Sequence, residues 1–308
     1  MKQETHETVG GQAVIEGVMM RSPQFVSVAV RRPNGKIALK REPYTSWTKR
    51  FKVLNFPIFR GGVVLIESMV LGMKALNFSS EIAMEEEKNA SARESASWWT
   101  KLSMALTMIV AFALGLGLFF YLPLLLTEWT GVESGVLFNV IDGIIRLVFF
   151  LVYLVLISLW KEIRRVFEYH GAEHKSIFAY ENQKPLTVEN AKVFKTLHPR
   201  CGTSFLLIVM IVSILVFIFL GKPDTVAERV IRFLFIPVIG GISYELIRLS
   251  GKAFGNKIGQ LLVAPGLWLQ KITTKEPDDD QLEVGLVALK SALDLDLDVP
   301  VDLISDQA

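Results

Sequence analysis

The chain has 308 residues, 51% of them hydrophobic and 20 of them Phe, which is too apolar and too unevenly distributed for an ordinary soluble domain. A net charge of +2 leaves no basic excess for a nucleic-acid partner, and the single cysteine, Cys201, excludes an internal disulfide framework. The expected class is therefore mainly α: a polytopic membrane helix bundle of about four transmembrane helices with a small N-terminal β-hairpin region, and the lipid bilayer as its principal partner.

Residues 1–101 form the expected N-terminal region. Its first thirty residues carry acidic groups and no long apolar core after a basic start, so no signal peptide is expected. Within GGQAVIEGVMMR, the glycines Gly10, Gly11 and Gly17 suggest a loop that something approaches closely, while Glu16 and Arg21 suggest no mechanism. FVSVAVRRPNGKIALKRE alternates apolar and polar residues around Pro33-Asn34-Gly35; Asn-Gly accepts the positive φ of a tight turn, so the spacing predicts an antiparallel hairpin. FRGGVVLIESMVLGMKALNF has helical spacing, but Arg60 and Glu67 interrupt the apolar stretch Val53 to Phe78, which reads as interfacial. The polar run EEEKNASARES reads as a linker.

Residues 102–250 form the expected bundle. Crossing about 30 Å of hydrocarbon takes roughly 20 apolar helical residues. Leu102 to Thr127, Gly135 to Leu159, Cys201 to Gly221 and Val230 to Leu249 meet or approach that length. The second holds Asp142 and Arg146, four apart and so on one helical face, which reads as an intramembrane structural pair. The loop Glu128 to Ser134 has no Lys or Arg, whereas 161–200 has eight, so the positive-inside rule makes the latter loop and both termini cytoplasmic. Lys222, Arg229 and Arg232 run against this orientation; Arg248, Lys252 and Lys257 agree with it. In residues 251–308, Ile258 to Leu269, broken by Pro265, is expected at the interface. EPDDDQLEVGLVALKSAL reads as an N-capped helix with acidic residues in its first turn, and LDLDLDVPVDLISDQA as a disordered acidic tail.

The central loop carries HGAEH. A spacing of four sets His170 and His174 on one helical face with Glu173 beside them, the H-x-x-E-H pattern of inverted zincins, in which two imidazoles hold zinc and the carboxylate activates water. Zinc normally takes a third protein ligand, so one must come from elsewhere: His198 or Cys201 of HPRCG, just before the third span, or Glu245 near the inner end of the fourth. Against this stands the plainer reading, in which the histidines lie on a solvated helix and Cys201 is a small buried hydrophobe.

The segments GGQAVIEGVMMR, YHGAEHKSIFAYE, HPRCGTSF, ISYELIRL and APGLWLQKITTKEPDDDQLEV, in that order, resemble the bacterial YqhQ-like membrane proteins over nearly the whole chain. The resemblance implies a multi-pass protein of the bacterial cell membrane and carries the label of a predicted metal-dependent enzyme. Three functions are expected candidates. The first is a zinc-dependent hydrolase at the cytoplasmic face, with Glu173 as general base and a peptide or lipid-linked substrate. The second is a non-catalytic scaffold or assembly factor in which a divalent metal or polar site braces the loop, and the third is a small transporter using Asp142, Arg146 and Glu245.

Overall fold

The computed structural model describes residues 8–57, 59–84, 98–253 and 257–304; the expected linker 85–95 lies outside them. The fold is mainly helical with an N-terminal sheet, as expected. Strands β1 (Gly10–Val14), β2 (Gly17–Arg21), β3 (Phe25–Arg31) and β4 (Ile37–Pro43) form a four-stranded antiparallel meander where the sequence predicts a single hairpin. The predicted turn joins β3 to β4: Gly35 takes a φ of 83° and its N–H donates to the Arg32 carbonyl at 2.9 Å. The additional hairpin is the glycine-rich block, where Val14 pairs with Gly17 across a two-residue turn and Glu16 takes the left-handed φ of 51°. The acidic tail is ordered over its described residues. Its strand β5 (Val301–Leu303) pairs in parallel with β4, while Leu297, Val299 and Val301 pack on the core and Asp294, Asp298 and Asp302 pair with Arg41, Lys290 and Arg32. The alternating run 293–298 itself is not strand; its Asp294 and Asp298 reach basic groups while Leu297 packs inward.

The period-2 alternation gives the sheet two apolar faces. Val18, Met20, Ala29, Ile37 and Leu39 face Tyr169, Ile177, Val284 and Leu289, from helices α6 (Lys161–Glu181) and α12 (Asp279–Ala292). On the other face, Val14, Met19, Val28, Val30 and Ala38 receive Ala75 and Ile82 of α2 (Phe59–Ala83). The result is a three-layer head. Short helices α1 (Trp47–Arg50) and α7 (Val188–Lys192) lie at its edges. Asp278 caps α12 and Asp279 and Asp280 fill its first turn, as the sequence predicts. The stretch read as a cytoplasmic tail thus completes the body that the first strands begin.

Five helical stretches are long and apolar enough to cross a membrane by length and composition, against the four expected: Arg60–Ala83, Leu106–Trp129, Gly135–Ser158, Gly202–Leu220 and Val226–Ile247. They fall in α2, α3 (Trp98–Leu116) continued by α4 (Leu122–Trp129), α5 (Gly135–Ser158), α8 (Gly202–Leu220), and α9 (Val226–Leu234) continued by α10 (Ile236–Ala253). The extra stretch contains Arg60 and Glu67, but Arg60 pairs with Glu245 and Glu67 accepts from Ser46, which lifts the charge objection raised from sequence. Between α3 and α4 the turn Gly117–Tyr121 widens to i→i+5 pairing, next to Pro123, which has no N–H to continue the ladder. Large apolar side chains stand exposed along these helices, among them Phe112 (70%) and Phe219 (90%), which suits lipid and not water. Helix α11 (Lys257–Thr273) runs through Pro265 and packs Leu269 and Ile272 against Leu154 and Leu207 at the head end of the bundle.

Candidate metal centre at the junction of head and bundle

Helix α6 follows α5 after a break at Leu159 and Trp160, and it carries the HGAEH residues into the core. Cys201 caps α8 with its sulfur accepting from the Thr203 N–H at 3.4 Å, so the start of a membrane-type helix fixes the thiol opposite α6. The C-terminal end of α11 closes the third side. Its approach depends on Gly171, where a Cβ would lie 2.0 Å from the Lys275 carbonyl oxygen; the bare α-carbon lets the chain beyond α11 run against α6, and the Lys275 N–H donates to the Phe167 carbonyl. The glycine between the two motif histidines is thus a packing requirement.

Three side chains gather there. Ligand atoms of His170, His174 and Cys201 all lie within 4.8 Å of one another, and His170 Nε2 is 3.2 Å from Cys201 Sγ. His170 Nδ1 lies 2.8 Å from the Thr273 carbonyl, and His174 Nδ1 bonds the Thr196 carbonyl. A carbonyl only accepts, so each Nδ1 carries the hydrogen and each Nε2 keeps a lone pair. His174 Nε2 is buried with no hydrogen-bond partner, although the residue is 1% exposed. Burying a polar nitrogen unsatisfied costs about 1–3 kcal/mol, so such an atom marks a place where another group belongs. Burial lowers the pKa of His174, the direction that keeps its lone pair available. Tetrahedral zinc, at about 2.0–2.3 Å from nitrogen and sulfur, needs ligand atoms roughly 3.3–3.8 Å apart, a small adjustment of spacings that run from 3.2 Å to within 4.8 Å. Orienting an imidazole through Nδ1 to a carbonyl is the usual outer-shell device of histidine metal sites.

The other expected site residues are engaged differently. His198 accepts from the Arg200 N–H at Nδ1 (3.2 Å) and has Glu181 at 3.4 Å from Nε2, so neither nitrogen is available, and its ring stands 5.5 Å from that of His174 as a neighbour. Gln270 holds its backbone, accepting from the His198 N–H and donating to its carbonyl. Glu245 is bound bidentately by Arg60 and is not in the gathered group; the sequence could place it at the right depth but could not see Arg60 reaching it from α2. Glu173 lies beside the cluster, Oε2 being 4.0 Å from His170 Nε2, and is 5% exposed. Burial raises its pKa, opposed by the nearby His170 and His198 and by a hydrogen bond from the Gly11 backbone. A Cβ at Gly11 would meet Glu173 Cγ at 2.8 Å, which gives that N-terminal glycine its reason. Glu16 of the same block binds Arg165 and lies 3.3 Å from the Tyr169 hydroxyl, locking the first hairpin to α6. The supporting groups that sequence reasoning missed, the carbonyls of Thr196 and Thr273, are backbone atoms and leave no mark in residue type.

These features define a mainly helical protein with several membrane-type helices, a sheet-bearing head, and a His-His-Cys cluster where the two meet. The family model described as "Protein of unknown function (DUF1385)" matches residues 56–295, and the chain belongs to that family. It is 37% identical over 303 residues to the "Uncharacterized protein YqhQ" of Bacillus subtilis (strain 168), covering 96% of this chain and 95% of the relative, in agreement with the resemblance read from the motif blocks. Neither description carries the label of metal-dependent enzyme. No solved structure matches.

Proposed function

We propose that the protein is a multi-pass protein of the bacterial cell membrane whose cytoplasmic head binds one divalent transition ion, zinc by donor chemistry, through His170, His174 and Cys201. The observation that carries this reading is the buried, partnerless His174 Nε2 beside His170 Nε2 and Cys201 Sγ, with both Nδ1 atoms occupied by carbonyls. Two imidazoles and a thiol are borderline-soft donors that suit zinc over magnesium or calcium. The cytoplasmic orientation rests on the eight Lys and Arg of 161–200, and a reduced compartment keeps Cys201 a thiol.

Three protein ligands leave one position for water, and Glu173 stands beside His170 with a carboxyl shifted upward by burial. This supports a hydrolase of the H-x-x-E-H type in which Glu173 accepts a proton from the attacking water and returns it to the leaving group of a peptide or lipid-linked substrate. The second reading, a scaffold braced by a structural ion, is favoured by how little of His174 and Glu173 solvent reaches. Metal analysis of the purified full chain, with Glu173→Gln alongside, tests both. About one zinc per chain, kept in Glu173→Gln while the cellular phenotype of a null strain returns, supports the enzyme. Zinc kept with full complementation leaves the brace, and metal-free wild-type protein ends both readings.

A further inference from the structure

At the end of the bundle away from the cluster, three arginines meet in an apolar setting. Arg146 of α5 and Arg229 and Arg232 of α9 line a cavity of about 70 Å³ whose other walls include Phe120, Phe217 and Phe233. Arg146 and Arg232 are each 8% exposed, and their guanidinium carbons lie 5.7 and 4.8 Å from the centre of the Phe217 ring. Their counter-charges are unevenly placed. Asp142 takes Arg146 at 2.8 Å and Glu128 takes Arg229 at 2.6 Å, while Glu228 is spent on the cap of α9, accepting from the Asp224 and Thr225 N–H groups. Arg232 hydrogen-bonds only to neutral partners, Asn139 Oδ1 at 2.8 Å and the Gly221 carbonyl at 2.5 Å, and meets the charges of Asp142 and Glu228 only through space. Its Nη1 and the Nε of Arg146 are buried donors without an acceptor.

A guanidinium cannot escape by losing its proton, so a buried arginine with no carboxylate in hydrogen-bond contact favours an anion that makes that contact. We propose that this cavity binds the phosphate of an anionic phospholipid. The planar fork of arginine matches phosphate oxygens, and the two arginines that carry the unsatisfied N–H groups both line the cavity. The lining includes exposed aromatic side chains, Tyr121 at 54% and Phe233 at 42%, in stretches of membrane-spanning length, so an occupant that also carries acyl chains satisfies the walls as well as the charge. A free phosphate ion shares the headgroup chemistry but leaves those walls unused.

The test uses the full chain in neutral detergent, with native mass spectrometry and thermal unfolding as readouts. Phosphatidylglycerol, diacylglycerol of the same acyl chains, and inorganic phosphate are titrated separately. Phosphatidylglycerol is expected to bind at least about ten-fold more tightly than diacylglycerol, and Arg232→Gln and the half-exposed rim variant Arg229→Gln each to weaken it about ten-fold, the scale of one charge-assisted hydrogen bond. Equal retention of the two lipids by wild-type protein overturns the proposal, a comparison that holds even if Arg232→Gln fails to fold. Unchanged phosphatidylglycerol binding in a folded Arg232→Gln protein overturns it too. Protection by inorganic phosphate without protection by phosphatidylglycerol overturns the lipid assignment.

Discussion

His170, His174 and His198 share a neighbourhood and separate by what occupies their nitrogens. The first two each engage a carbonyl through Nδ1 and hold Nε2 toward Cys201, whereas His198 engages the Arg200 N–H of its own loop and Glu181 at the end of α6. His174→Ala and Cys201→Ser are therefore expected to reduce bound zinc below about a tenth of wild type in elemental analysis, with His198→Asn retaining it; the reverse ranking would move the site. His198 carries a separate signature. Burial pushes its pKa down to about 4, against the pull of Glu173, while the unfolded chain titrates near about 6.5. Below pH 6.5 the unfolded state binds the extra proton, so stability is full above that pH and falls as the pH drops toward 4, by up to about 3 kcal/mol. Denaturant titrations of chelator-treated protein at pH 7 and 5 are expected to show that loss, and His198→Asn to reduce it; an undiminished slope in the variant would assign the effect elsewhere. Gly171→Ala is expected to cost about 1–3 kcal/mol, because the new methyl group displaces the chain at Lys275 and with it the Thr273 carbonyl that orients His170. Thermal melts check this, and wild-type stability in the variant would mean that the strap yields freely.

Among the elements, those specified by neighbouring residues were legible from sequence and those specified at a distance were not. Asn34-Gly35 announced the β3–β4 hairpin and Asp278 announced α12, because turn and cap act over a few residues. The β1–β2 hairpin stayed hidden because its turn uses Ile15 and Glu16, with Glu16 in a backbone region that glycine or asparagine would normally mark. Strand β5 was hidden more deeply: its partner β4 lies at the other end of the chain, and a parallel pairing has no turn to announce it. The site divides the same way. The i, i+4 histidines were visible in HGAEH, but choosing Cys201 over His198 and Glu245 required knowing that Arg60 arrives from α2 and Arg200 turns back on His198. Removing 294–308 strips β5 and its pairs to Arg32, Arg41 and Lys290. Losing three partly buried side chains, Leu297, Val299 and Val301, is expected to destabilise the head by about 2–4 kcal/mol. Faster hydrogen exchange at Ile37–Leu39 would register the change; unaltered protection there would show that β5 contributes nothing.

Over the whole molecule, head and bundle are joined at the His-His-Cys cluster by three separate chain segments, from α6, the loop before α8 and the end of α11. In the proposed site, an ion held by two of them and oriented by the third would act as a clasp. Chelation is expected to lower the unfolding temperature of the wild-type protein and to leave Cys201→Ser at its already lowered value, since ligand binding stabilises only the state that binds. An equal chelator effect in both proteins would mean that the metal acts elsewhere.

The parallel pairing of β4 with β5 and the docking of α12 on β2 and β3 also dictate an order of events during synthesis. The first four strands leave the ribosome with an apolar face whose last cover, α12, is made only after all the helical stretches of membrane-spanning length. Until then the N-terminal sheet has α2 for one face and at most α6 for the other. The head therefore closes only once the whole bundle has been synthesised.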